Sequence, residues 1–138
     1  MEDSVGYSAF DFGGSIVGFE QLSRFALAEM EPNSPFYRLR SLEEESIEYI
    51  VVSPFEVCKE YEFQLGDDLK NELSVDRPDD VLVLSIVTLR KPFYRSTLNL
   101  LAPLVCNIRT GKGKQLILNG SAYAVNTPLF PPLQDRGE

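Results

Sequence analysis

The sequence predicts an all-β fold: an antiparallel, barrel-like sheet with at most one or two short helices. Three observations carry that reading. Seven or eight short segments are rich in β-branched and aromatic residues, tight turn signals separate many of them, and no strand alternates with a long helix. Parallel α/β architecture needs such helices as crossovers, so it is disfavoured.

The elements follow in order. Residues 7–12 read as an opening strand because aromatics dominate them, and Gly13-Gly14 then permits a sharp reversal. Residues 16–19 begin a second extended segment. Residues 21–30 suit either a half-buried strand after a bulge or a helix, and the strand is favoured. Pro32-Asn33-Ser34-Pro35 is a turn, since two prolines fix φ and withhold two backbone donors. Glu43-Glu44-Glu45-Ser46 is an acidic loop, and residues 47–52 form a strand that ends at Pro54. Residues 60–65 alternate strictly, with Tyr61, Phe63 and Leu65 on one face and Glu60, Glu62 and Gln64 on the other, so a strand is expected. Residues 67–73 suit one short helix with Asp67 as its cap and acids at its positive end.

After a turn over residues 76–80, the run 81–88 is continuously apolar in the manner of a strand buried on both faces, and it is the candidate central strand. From Thr97 a meander is expected, in which residues 104–108 and 115–118 flank the turn at Gly111-Lys112-Gly113-Lys114. Asn119-Gly120 favours a type I′ hairpin turn, with residues 121–125 returning as a strand. Pro128, Pro131 and Pro132 argue against regular pairing, and residues 130–138 read as a frayed tail.

The totals narrow the function. With 138 residues, 43% of them hydrophobic, the chain suits one domain with one core, spanning 1–138. A net charge of −8 repels polyphosphate, so direct nucleic-acid binding is disfavoured, whereas a basic protein partner would be steered in. Two cysteines, Cys58 and Cys106, cannot build a disulfide framework and read as small buried hydrophobes in a reducing cytoplasm. The start of the sequence has no secretory pattern, and no run is long and apolar enough for a membrane span.

Candidate chemistry is sparse. The absence of histidine removes Ser-His-Asp and Cys-His catalysis and the commonest transition-metal ligand. Thr110-Gly111-Lys112-Gly113-Lys114 lacks the spacing and following helix of a phosphate loop, and Asp76, Asp79 and Asp80 lack EF-hand spacing. No cofactor, metal or catalytic residue is assigned. An enzyme using paired carboxylates remains the rival reading, because such pairs meet only in three dimensions.

The segment Ser96-Thr97-Leu98-Asn99-Leu100-Leu101-Ala102-Pro103-Leu104-Val105-Cys106-Asn107, followed by Gly113-Lys114-Gln115-Leu116-Ile117-Leu118, resembles the T-x-N-L-x-A-P-[IL]-x-x-N…G-x-Q-x-[IV]-L signature of the FliW family. Residues 12–20, 35–41 and 50–54 with Tyr61 add further similarity, with Val17, Arg40 and Glu60 departing from the usual Pro, Gln and Asp. The resemblance implies a flagellar assembly factor that binds flagellin and also the RNA-binding translational repressor CsrA, releasing flagellin messenger RNA from repression once flagellin is exported. A flagellin chaperone without a regulatory role is the simpler alternative. Under this reading the free protein is a monomer. Its repressor contacts are the acids Glu43, Glu44, Glu45, Asp67, Asp68 and Glu72; its flagellin groove involves Phe55, Tyr61, Leu129 and Phe130; and Asn99, Pro103 and Asn107 contribute from the signature segment.

Overall fold

The computed structural model describes residues 9–130. It contains β1 (Ala9–Asp11), β2 (Arg24–Glu29), β3 (Phe36–Ser41), β4 (Glu48–Val52), α1 (Pro54–Val57), α2 (Asp67–Glu72), β5 (Val81–Thr88), β6 (Thr97–Leu98), β7 (Leu104–Asn107), β8 (Gly113–Gln115) and β9 (Thr127–Pro128). The nine strands pair antiparallel in one sheet, one strand more than the upper expectation, and both helices are short.

β1 to β5 are neighbours in sequential order, and β5 then serves two partners. Its first half pairs with β7 through Val81↔Asn107 to Leu84↔Leu104, while Val87 and Thr88 pair with Leu98 and Thr97 of β6. The run 81–88 is thus the central strand that its composition suggested. β8 pairs with β7, and its neighbourhood returns to β1, where the Asp11 amide donates to the Gly111 carbonyl at 2.8 Å beside a single bridge between Asp11 and Lys112. No ladder seals that junction. The sheet is therefore open, and barrel-like at most.

Alternation along the strands gives the sheet two covered faces. Inward-pointing Leu39, Val51, Leu84, Leu104 and Cys106 join Phe10, Phe12, Ile16, Leu22 and Phe25 in one cluster. The other face of β4 and β5, with Val52, Val83 and Val87 beside Leu98 of β6, is covered by Tyr61, Leu100 and Leu129. Register keeps the faces distinct: Val51 lies opposite Ile86, and Val52 lies opposite Ser85. Close approach explains one glycine, since a Cβ built on Gly113 would lie 2.6 Å from the Phe12 ring.

Several expectations are corrected. Residues 16–19 are turns, closed by Phe19 N–H to the Ile16 carbonyl and Leu22 N–H to the Phe19 carbonyl; Ile16, between glycine reversals at positive φ, and Leu22, after the last of them, enter the core as pegs. Residues 60–65 alternate in burial as expected, yet have no strand partner. Only Gly120 of the Asn119-Gly120 pair takes positive φ, so the type I′ turn is not formed, and residues 121–125 run as irregular chain. Pro128 does pair, opposite Thr97 in the two-residue β9, where an edge position tolerates the missing donor. β3 was not anticipated as a strand, β8 begins inside the expected turn, and α2 is preceded by Gly66 as its cap in place of Asp67. The expectations for Tyr7, Ser8, Pro131, Pro132 and the rest of 131–138 lie outside the described residues.

Candidate functional site

Past β4 the chain leaves the sheet at Ser53, and Pro54 occupies the first turn of α1, where its missing N–H is no loss. The segment after α1 then lies over the outer face of β5. Tyr61 holds it there. Its hydroxyl donates to the Leu100 carbonyl at 2.7 Å, and its ring contacts Phe55, Phe63 and Tyr123 at centroid distances of 5.7, 5.6 and 4.6 Å. Tyr123 returns the contact, accepting from the Glu62 amide at 3.1 Å and donating to the Glu62 carbonyl at 3.3 Å. Burial first, and then neighbouring Tyr123 and Cys58, push the Tyr61 pKa far above the ordinary tyrosine value. Tyr61 is an anchor and stays neutral.

Beside this anchor lies a cleft of about 490 Å³. Its apolar wall is Phe55, Tyr61, Phe63, Leu65, Val81 and Val83, and its polar rim includes Glu62, Lys70, Asp76 and Arg77. α2 supplies Lys70 to that rim and carries Asp67 and Asp68, both exposed, in its first turn, where acids complement the partial positive charge of the backbone amides. Buried Leu73 fixes the far end of α2.

The cleft's far wall depends on a polar hub. Asn107, fully buried, donates to the Leu73 and Ser74 carbonyls and accepts from the Arg109 and Thr110 amides. Nearby Asp80 accepts from the Asp76 and Arg77 amides, and its carboxylate lies 3.5 Å from the Arg109 guanidinium. Burial opposes the Asp80 charge, but the two amides and Arg109 outweigh it and hold its carboxyl below the usual range. Arg109 also meets Asp76 at 3.0 Å. This arrangement ties the α2–β5 connection to the β7–β8 turn.

The site residues expected from sequence therefore divide. Phe55 and Tyr61 line the cleft together, and Asp67 and Asp68 stand on α2 beside it. Leu129 is buried in the same apolar cluster as Tyr61 without lining the cleft, and Phe130 meets Phe93 edge-on at 5.3 Å. Glu72 is bound to Lys114 at 3.0 Å. Glu43 accepts from the Ser23 amide at 2.7 Å and so pins the β3–β4 turn to β2, and Glu44 accepts from the Ser46 hydroxyl, while Glu45 is exposed. Asn99 caps the Ala102 amide, Pro103 is buried and its carbonyl accepts from Leu116, and Asn107 has no exposed surface to offer a partner. These three signature residues are thus engaged in hydrogen bonds within the fold. Phe63, Leu65, Val81 and Val83 are lining residues that the site reading missed, although the alternation of 61, 63 and 65 was visible. The pairing of Asp80 with Arg109 had no local signal.

Among the described residues, no group of three or more His, Cys, Asp or Glu side chains is placed to hold a metal ion, and no helix is long and apolar enough to cross a membrane. Both cysteines are free thiols; Cys106 is buried and its pKa is raised by burial, whereas Cys58 is half-buried.

Comparison with known proteins gives one consistent result. The family model described as FliW protein matches residues 3–129. A flagellar assembly factor FliW from Clostridium kluyveri is 43% identical over 119 residues, 86% of this chain and 82% of that protein. The Bacillus subtilis (strain 168) flagellar assembly factor FliW is 38% identical over 118 residues, again 86% of this chain and 82% of that protein. A crystal structure of a flagellar assembly factor FliW superposes with a TM-score of 0.85 at 30% identity, covering 96% of this chain and 90% of that one.

Proposed function

This chain belongs to the FliW family of flagellar assembly factors, and from that premise we propose that it acts by binding proteins and not by catalysis. In this reading it works as one cytoplasmic domain that holds flagellin. When flagellin is exported, the freed protein captures a CsrA-type RNA-binding repressor and so relieves flagellin messenger RNA. Two partners that exclude each other set each other's free concentration, which is all that the coupling requires.

The observation that carries this reading is the cleft beside Tyr61. It combines an apolar wall suited to a helical or extended flagellin segment with exposed Asp67 and Asp68 on the adjoining helix, which suit a basic repressor. Phe55, with 43% of its surface exposed, is the residue of the cleft's apolar wall most available to enter a partner.

Isothermal titration calorimetry tests the proposal with purified flagellin and purified repressor, first singly and then in competition. Each partner is expected to bind, and saturation with flagellin is expected to weaken repressor binding. Binding of flagellin alone would leave only a chaperone. Binding of neither would end the proposal.

A further inference from the structure

Charge is distributed unevenly along this chain. Nineteen of its 21 acidic residues precede Val81, whereas residues 81–130 hold six basic side chains and no acidic one. Three of those six, Arg90, Lys91 and Arg95, fall in the connection between β5 and β6, and every residue from Leu89 to Arg95 is exposed. An acidic protein therefore presents one compact cationic ridge.

The ridge borders a second groove. It encloses about 350 Å³ between Met30, Phe36, Ile50, Leu89 and Phe93, with Arg90 and Lys91 as its charged lining among the described residues. Leu89, Phe93 and Tyr94 are each about half exposed, at 55%, 49% and 54%, a dense apolar display for so short a connection. The wall is also well fixed. Ser96, buried, accepts from the Arg90 amide at 3.0 Å, its own amide donates to the Phe93 carbonyl, and Phe93 makes edge-on ring contacts with Phe36 and Phe130. Val81 lines the first cleft and Leu89 the second groove, so eight residues of extended chain separate them by roughly 25 Å.

We propose that this groove is a second docking site, separate from the Tyr61 cleft, for a partner-protein segment that is apolar along one side and acidic at one end. Charge complementarity selects that occupant. A basic repressor is repelled by Arg90, Lys91 and Arg95, and a polyphosphate chain meets a net charge of −8 beyond the ridge. A short peptide needs only a few acids to match three cations, while its apolar residues fill the space beside Phe93. Glu29 and Glu31 flank Met30 in sequence at the opposite wall, so the acidic end belongs over the ridge and not over β2. The inference does not rest on the reading of the Tyr61 cleft.

The test uses the full chain and a fluorescein-labelled synthetic peptide with leucine and phenylalanine at helical spacing followed by three glutamates, beside a twin with three lysines. Fluorescence anisotropy is expected to give roughly tenfold tighter binding of the glutamate peptide, the size expected of two or three exposed ion pairs. The doubly substituted chain Arg90→Glu, Lys91→Glu, whose changes are exposed and leave the core intact, is expected to reverse that preference. Amide chemical-shift changes should centre on residues 89–95. Equal binding of the twins, or shifts centred on residues 61–65, overturns the proposal. So does binding of phosphatidylglycerol vesicles or oligouridylate through Arg90 and Lys91 without binding of the peptide.

Discussion

The two faces of β4 and β5 are covered by different means. On the inner face, large apolar side chains from strands joined by ladder hydrogen bonds pack with those of the adjoining turns, as Phe12, just past β1, does edge-on against Phe25 of β2 at 5.8 Å. On the outer face, the covering chain over residues 58–65 has no ladder, and single contacts such as Tyr61 to Leu100 set its position. The first layer resists deformation because many contacts must fail together. The second opens locally when one contact fails, which suits a surface that receives a partner. The difference also explains why both apolar recesses lie on the outer side, at the two ends of β5.

The comparison breaks first at Phe25. It is fully buried, and Phe25→Ala is expected to destabilise the protein by about 3–5 kcal/mol, the range for removing a large aromatic from a packed core. Urea unfolding followed by circular dichroism measures this, and a change below about 1.5 kcal/mol would mean that the inner face is not the stabilising layer.

Tyr61→Phe sharpens the contrast, because it keeps the ring and strands the Leu100 carbonyl; the expected loss is about 1–3 kcal/mol. Hydrogen exchange should accelerate over residues 60–65 and leave β5 unchanged. The sign of the pH dependence follows from the raised folded pKa. Unfolded tyrosine ionises near about pH 10, so the stabilisation from neutral Tyr61 is complete below that pH and is lost as pH rises above it. The stability gap between the original protein and Tyr61→Phe should therefore narrow above about pH 10. A gap that stays constant there would remove the buried hydroxyl as the anchor.

How much of this was legible depended on where the determining partner lay. β5 was readable because burial on both faces imposes a continuous apolar run, a purely local signal. Residues 60–65 showed the right faces and the wrong structure, since an anchor 39 residues away at Leu100 can impose alternation as well as a strand neighbour can. β3 went unread because its two arginines dilute the apolar pattern, although Leu39 and Ser41 point inward in strand fashion while Arg40 is exposed. Of the four residues expected to form an apolar groove, Phe55 and Tyr61 lie together in the wall of the cleft. Asn107 and Glu43 carry bonds that no local pattern announces, because the Leu73 carbonyl and the Ser23 amide that engage their side chains lie far away along the chain.

Glu72 gives the smallest expected effect and limits how far ion pairs can be credited with joining the two regions. Its carboxylate lies 3.0 Å from the Lys114 ammonium, linking α2 at the outer cleft to β8 at the end of the sheet. Glu72 is exposed and Lys114 partly so, hence water and salt screen the attraction and the ordering of two long side chains offsets much of it. Glu72→Gln should change stability by no more than about 0.5 kcal/mol in urea titration at moderate salt. A loss above about 1.5 kcal/mol would show that α2 is held by charge. The small value would leave the buried Leu73 side chain and the Asn107 hydrogen bonds to the Leu73 and Ser74 carbonyls as what secures the helix to the sheet.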